Sequence, residues 1–191
     1  MIGSHNSLSY LPPKNLWGKI TRPWNKCQDK TIKEQFNAGV RYFDVRVKII
    51  DGKWYIVHNN VIYKYIYGHT LANLFNVSCK KDKCYIRIIL DIRKKPKDVI
   101  YYKTEFSDFV DNFSSCLNDN ISVDSVITYW DWKEYRTPDI NIKEYHSSVK
   151  AKWYQYLLGC KWFANKYNAF AENSNIEYKT SPYRVLLLDY V

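Results

Sequence analysis

Val40–Asn60 reads VRYFDVRVKIIDGKWYIVHNN. From Tyr42 to Ile49 the side chains alternate, with Tyr42, Asp44, Arg46 and Lys48 on one side and Phe43, Val45, Val47 and Ile49 on the other. That period belongs to a β-strand with one apolar face. Asp51-Gly52 is a turn signal, and Trp54–His58 is a second aromatic and β-branched run. An acid, an arginine and a histidine therefore leave neighbouring strands near their ends. A charged ladder on a solvated sheet face would look the same, but His5, placed just after a short apolar start, adds a second imidazole. Two histidines, an aspartate and an arginine are a complete set for phosphodiester chemistry.

Composition bounds the rest. The 191 residues fit one domain spanning 1–191, with length enough for a sizeable core. Lys and Arg number 29 against 19 Asp and Glu, a net charge of +10, which predicts attraction to a polyanion: an acidic membrane surface, a phosphorylated substrate or nucleic acid. Nucleic-acid binding would need phosphate contacts and stacking aromatics along a groove, with a steep salt dependence, and is not the expectation here. Met1–His5 offers no apolar signal-peptide core, and no run approaches the roughly 18 apolar residues of a membrane span. Five cysteines without a CxxC pair read as reduced thiols in a cytoplasmic protein, with a Cys79–Cys84 loop disulfide as the alternative.

Working outward, Met1–His5 is expected as a very short strand. Leu11–Lys26 reads as an irregular basic and aromatic loop, broken by Pro12-Pro13, Gly18 and Pro23. Asp29–Ala38 is expected as a helix with Gly39 after its end, and His69–Val77 as a short helix. Cys84–Ile92 is expected as a buried strand, Asp98–Leu117 as a helix, and Ser125–Trp132 as a strand. Thr137–Ser148 reads as a loop with an extra strand at most, Lys152–Tyr167 as a helix, and Arg184–Val191 as a final buried strand. This order predicts five or six strands, up to eight, in a mostly parallel α/β sheet covered by helices. Polar residues gather at strand ends, as in a small, incomplete or irregular (β/α) TIM-like barrel. An open doubly wound sheet is the alternative, although no glycine-rich phosphate loop follows the first strand.

GSHNSLSY at Gly3–Tyr10, EQFNAGVRYFDVRVK at Glu34–Lys48 and WYIVHN at Trp54–Asn59 together resemble the catalytic X domain of phosphatidylinositol-specific phospholipases C, nearest to the metal-independent bacterial-type and X-domain-only branch. The resemblance covers about the first 95 residues and the closing LLLDY, Leu186–Tyr190. It implies a lyase that cleaves phosphatidylinositol to a cyclic inositol phosphate and diacylglycerol. The family's two catalytic histidines fall on His5 and His58, and its strand acid on Asp44. Arg46 falls where calcium-dependent relatives carry an acidic ligand, which implies no metal and no cofactor. Asn6 departs from the acid of the metal-free enzymes.

The chemistry needs a base for the attacking hydroxyl, an acid for the leaving alkoxide and positive charge on the phosphate. His5 is expected as base, His58 as acid and Arg46 as the phosphate ligand. Asp44 would orient Arg46 or His58, and Asp189 would orient His5. Asn6, Asp91, Arg93, Lys94, Lys95 and Asp131 are expected substrate contacts. Trp17 and Trp24 are expected membrane contacts of a monomer that sits peripherally on an anionic phospholipid surface. A non-catalytic lipid-binding module and a metal-dependent glycerophosphodiesterase are the competing classes; the latter would want acids where this chain has Arg46.

Overall fold

The structure is a computed structural model that describes residues 1–80, 82–92, 98–128, 133–135, 143–146, 184–189 and 191. Val40–Asn60 forms the expected hairpin. The alternating run is β2 (Tyr42–Ile50), Asp51 and Gly52 make the turn with positive φ, and β3 (Lys53–His58) returns antiparallel. A further strand that the sequence did not announce, β4 (Val61–Tyr65), extends the hairpin.

Parallel pairing carries the sheet on from β2. β1 (Ile2–Ser4) pairs with the start of β2 on one edge, and β5 (Cys84–Asp91) runs along the other. β6 (Ile121–Thr128) lies beyond β5, and β9 (Arg184–Leu188) lies beyond β1. β7 (Lys133–Tyr135) and β8 (Lys143–His146) lie at the two ends, giving the order β7-β6-β5-β2-β1-β9-β8 with β3 and β4 branching from β2. The described strands number nine, and β7 and β8 do not pair with each other. Among the described residues the sheet is a curled half-barrel, consistent with an incomplete barrel.

The convex face carries the larger core. Phe43, Val45 and Val47 of β2 and Ile86, Ile88 and Leu90 of β5 share one apolar cluster with Phe75, Phe106 and Phe113. Those aromatics come from α3 (Gly68–Cys79) and α4 (Val99–Ser115), helices close to the expected ones. α2 (Ile32–Asn37) is shorter than expected. It starts at a capping box in which Thr31 and Glu34 satisfy each other's backbone N–H, and it stops at Ala38, before Gly39 at φ +95°. The concave floor is a small cluster of Tyr42, Val185 and Leu187. Gly3 lies over it so closely that a Cβ would come within 2.5 Å of Val185 Cγ1 and 2.7 Å of Leu187 Cδ2.

Three expectations change. Leu11–Lys26 is not irregular throughout: Leu16–Asn25 is a helix, α1, with Pro23 inside it. The prolines hid an apolar stripe at helical spacing, Leu16, Trp17, Ile20 and Trp24, which stays exposed. A Cβ added at Gly18 would come within 3.0 Å of Val61 Cγ1 of β4, so α1 lies close on that strand. The strand expected at Ser125–Trp132 runs instead over Ile121–Thr128, in register with β5 from Cys84 to Asp91. The polar alternation of Ser122 and Asp124 had disguised its start. Finally, the apolar strand β5 contains a buried cation. Arg87 sets Nε 2.7 Å and Nη2 2.6 Å from Asp124 Oδ2, across the concave face on the next strand. Cys79 and Cys84 are buried free thiols rather than the alternative loop disulfide. The expected Lys152–Tyr167 helix lies outside the described residues.

The floor contact yields a test. Gly3→Ala forces a methyl into side chains of β9, an overpacking cost of typically 1–3 kcal/mol. Thermal denaturation is expected to show a clear fall in melting temperature, and an unchanged value would mean that the β1–β9 approach is looser than described.

Candidate functional site

The site forms where one edge of β2 changes partner. β1 pairs only with Tyr42 and Phe43, and β3 begins pairing at Val47. Between them the edge at Asp44–Arg46 opens, where Ser7 N–H donates to the Asp44 carbonyl at 2.7 Å and Asn6 N–H to Asp44 Oδ2 at 3.3 Å. His5 follows the last residue of β1, and His58 ends β3. Each is followed by an asparagine in the left-handed region, Asn6 at φ 46° and Asn59 at φ 54°. Asparagine tolerates that conformation better than most residues, so each chain can turn away directly after its histidine.

The structure brings His5, Asp44, Arg46, His58 and Asp189 together. His5 Nδ1 lies 2.9 Å from Asp189 Oδ1, and His5 Nε2 lies 3.1 Å from Arg46 Nη2. A guanidinium can only donate, so Nε2 accepts from Arg46 and Nδ1 carries the proton given to Asp189. Arg46 Nη2 also reaches Asp44 Oδ2 at 3.3 Å, and Asp44 is 1% exposed. The two imidazoles meet edge-on, with centroids 5.7 Å apart and planes at 85°. His58 Nδ1 is 2.7 Å from the Asn25 carbonyl, the last residue of α1. That carbonyl also receives the Tyr63 hydroxyl at 3.3 Å.

These neighbours set opposite electrostatics on the two histidines. Burial opposes charge on His5, but the carboxylate and hydrogen bond of Asp189, with help from Asp44, raise its pKa overall. Burial pushes His58 down to about 3, reinforced by the positive charges of Arg46 and His5; the Asn25 carbonyl and Asp44 pull back less. Arg46 stays charged, because Asp44 and Asp91 outweigh its desolvation.

Of the expected substrate contacts, Asp91 ends β5, with Oδ2 buried and without a described hydrogen-bond partner. Asn6 is fully buried, and neither atom of its amide has a described hydrogen-bond partner. Arg93, Lys94, Lys95 and Asp131 lie outside the described residues. Trp17 and Trp24 are 57% and 38% exposed on α1.

Three contributors went unread in the sequence. Asn25 acts through its carbonyl, which no side-chain pattern announces. Gln28 is fully buried, and its Nε2 donates to the carbonyls of His5 at 3.1 Å and Leu188 at 2.8 Å, fastening the ends of β1 and β9 together. Cys27 is 5% exposed, with Sγ 3.9 Å from His58 Nδ1. All three lie just beyond or at the end of a segment read as loop, where no periodicity exists to single them out.

No family model matches the chain. A PI-PLC X-box domain-containing protein of Dictyostelium discoideum is 38% identical over 68 residues, a match covering 30% of this chain and only 9% of that relative. Among solved structures, phosphatidylinositol-specific phospholipase C from Listeria monocytogenes superposes with a TM-score of 0.62 at 14% identity, covering 99% of this chain and 87% of that one. The Staphylococcus aureus phosphatidylinositol-specific phospholipase C, in a structure concerned with its membrane binding, gives a TM-score of 0.60 at 13% identity, covering 100% of this chain and 85% of that one. The fold is that of these phospholipases C.

The buried neutral state of His58 has a consequence for stability. Its folded pKa, about 3, lies below the unfolded value near 6.5, so the contribution is complete above roughly pH 6.5 and is lost as pH falls towards 3. Melting temperature followed from pH 7 to pH 4 should therefore fall less steeply in His58→Gln than in the parent. Parallel curves would mean that His58 takes up its proton in the folded chain without penalty.

Proposed function

We propose that the chain cleaves the phosphodiester of a phosphatidylinositol-type lipid, releasing a cyclic inositol phosphate and diacylglycerol by acid–base catalysis without a metal. The observation that carries this reading is the pair of imidazoles set around one guanidinium, with His5 Nε2 3.1 Å from Arg46 Nη2 and the His58 ring 5.7 Å away. Residues 1–191 are read as one catalytic domain.

Each role follows from a contact. Asp189 holds the Nδ1 proton of His5, which leaves the Nε2 lone pair to take the proton of the inositol 2-hydroxyl. The hydroxyl oxygen then attacks phosphorus, and the bond to the diacylglycerol oxygen breaks. His58 gives that oxygen a proton from Nε2, while its Nδ1–H stays on the Asn25 carbonyl. In the free site His58 is too acidic to hold a second proton at neutrality. A bound phosphate supplies the missing negative charge and restores the acid as substrate enters. Arg46, braced by Asp44, spans the phosphate oxygens and stabilises the pentacovalent state. Its permanent charge at the position where calcium-dependent relatives have an acid supports metal independence. Asn6, Asp91, Arg93, Lys94, Lys95 and Asp131 are proposed to meet the inositol ring.

Access to the lipid is assigned to α1. Leu16, Trp17, Ile20 and Trp24 present an exposed apolar face, among Lys14, Lys19 and Arg22. Tryptophan favours the bilayer interface, and each basic residue near an anionic surface contributes about 1 kcal/mol. Among the described residues no helix is long and apolar enough to cross a membrane, and the proposed association is peripheral.

Incubation with phosphatidylinositol in excess chelator, reading cyclic inositol phosphate, tests the reaction; activity that requires added calcium would overturn the metal-free mechanism. His5→Ala and His58→Ala are each expected to lose about 10²–10⁴-fold in turnover with the fold intact, and a loss of only a few-fold would remove the assigned role. Arg46→Lys is expected to be severely impaired, since a point charge cannot span two phosphate oxygens as the guanidinium fork does. Trp17→Ala should weaken sedimentation with anionic vesicles and cleavage of bilayer lipid while sparing hydrolysis of soluble cyclic inositol phosphate. Equal losses in both assays would place Trp17 in the fold instead.

A further inference from the structure

Cys27 has no part in the proposed reaction, yet its thiol sits among the groups that do. Sγ is 3.9 Å from His58 Nδ1, and the sulfur together with one nitrogen from each of His5 and His58 forms a trio lying within 4.8 Å of one another. The position of the cysteine is held. Its backbone N–H and that of Gln28 both donate to Ser9 Oγ at 2.9 Å, and the Gln28 side chain is fastened to the carbonyls of His5 and Leu188. Tight packing of β1, β9 and the 27–28 segment thus brings a thiol from a connecting segment against two histidines from strand ends.

The donor set is nitrogen, nitrogen and sulfur. Calcium and magnesium want oxygen ligands, so they are poorly served here. Zinc-class ions take imidazole and thiolate together, at about 2.0–2.1 Å and 2.3 Å, which puts tetrahedral ligand atoms roughly 3.4–3.6 Å apart. The observed separations exceed that by well under 2 Å, within the reach of side-chain rotation. A ligating histidine works best when its other nitrogen donates to a carboxylate. His5 already satisfies this condition, with Nδ1 against Asp189 and Nε2 facing Arg46.

The surrounding charge also favours a cation. Asp44 lies 3.8 Å from His5 Nε2, Asp189 lies behind the ring, and Asp91 acts on Arg46. Among these described groups, Asp44 and Asp91 act on the guanidinium of Arg46, while Asp189 stays on His5. Arg46 would have to give up its hydrogen bond to His5 Nε2 as an ion enters. Its retained partner is Asp44, which does not belong to the trio.

We propose that His5, Cys27 and His58 form a three-ligand site for a thiophilic divalent cation of the zinc class, completed by water, and that filling it withdraws both histidines from catalysis. Binding converts the Cys27 thiol to a thiolate and releases one proton to solvent. The binding half stands on the donor geometry alone, whereas the inhibitory half rests on the phosphodiesterase reading.

The test uses the full chain, stripped with chelator and titrated with Co²⁺ as a spectroscopic substitute for Zn²⁺. One equivalent should produce a thiolate-to-cobalt charge-transfer band and the visible bands of a tetrahedral ion, both bleached by Zn²⁺. Cys27→Ser and His58→Asn should each abolish the charge-transfer band or weaken binding by at least about tenfold, with circular dichroism verifying the fold of each; one folded variant suffices. No band in the parent, or an undiminished band in folded Cys27→Ser, would overturn the site. In the second arm, Zn²⁺ should suppress release of cyclic inositol phosphate, and chelator should restore it. A Cys27-dependent cobalt band in a chain that never cleaves phosphatidylinositol would uphold the site and remove the phosphodiesterase reading. Cleavage with no such band would do the reverse.

Discussion

At Asp44–Arg46 the edge of β2 has left β1 and has not yet met β3, and the candidate chemistry depends on that opening. A strand buried in a sheet spends its backbone groups on neighbours on both edges, leaving no room for a ligand at its side. Here the two neighbours arrive from opposite directions and stop short of each other. Each delivers a histidine at the point where it stops, and β2 supplies the acid and the arginine between them. The opposite edge stays continuously paired with β5 from Tyr42 to Val47, so the opening costs the sheet little rigidity.

Charge inside a curled sheet is tolerable only when compensated. The concave face meets this with alternating signs across the strands: Asp44 stands in register with Arg87, and Arg87 with its partner Asp124. Towards the strand ends Arg46 takes Asp44, and His5 takes Asp189. The same compensation separates the two imidazoles. His5 has a carboxylate behind it and gains a proton more readily, whereas burial and the positive charges of Arg46 and His5 keep His58 neutral.

The carbonyl that holds His58 belongs to the last residue of α1, the helix with the exposed tryptophans. The surface assigned to the membrane and the proposed general acid are therefore joined by a single hydrogen bond of 2.7 Å. Pro23 and Asn25 lie in the final turn, where a helix leaves carbonyls unsatisfied. His58 and Tyr63 take up one of those carbonyls. What serves as a helix ending from the side of α1 serves as a ring support from the side of β3.

The sequence by itself determined the hairpin, because period-two alternation in Tyr42–Ile49 and the Asp51-Gly52 turn are local properties. It also determined which residue types stand at the strand ends, and the short motifs around His5, Asp44 and His58 carried the family resemblance. It misread α1, since three prolines and a glycine argue against a helix unless β4 is there to support it, and it missed β4 itself. The resemblance placed Asp189 behind His5, and the parallel pairing of β1 with β9 is what closes that contact to 2.9 Å across 184 residues of chain. Asn25, Cys27 and Gln28 likewise acquire their places only when β1, β9 and the end of α1 come together. Their contributions are a carbonyl, a thiol and an amide seated by contacts distant in sequence, and such contacts leave no periodic trace along the chain.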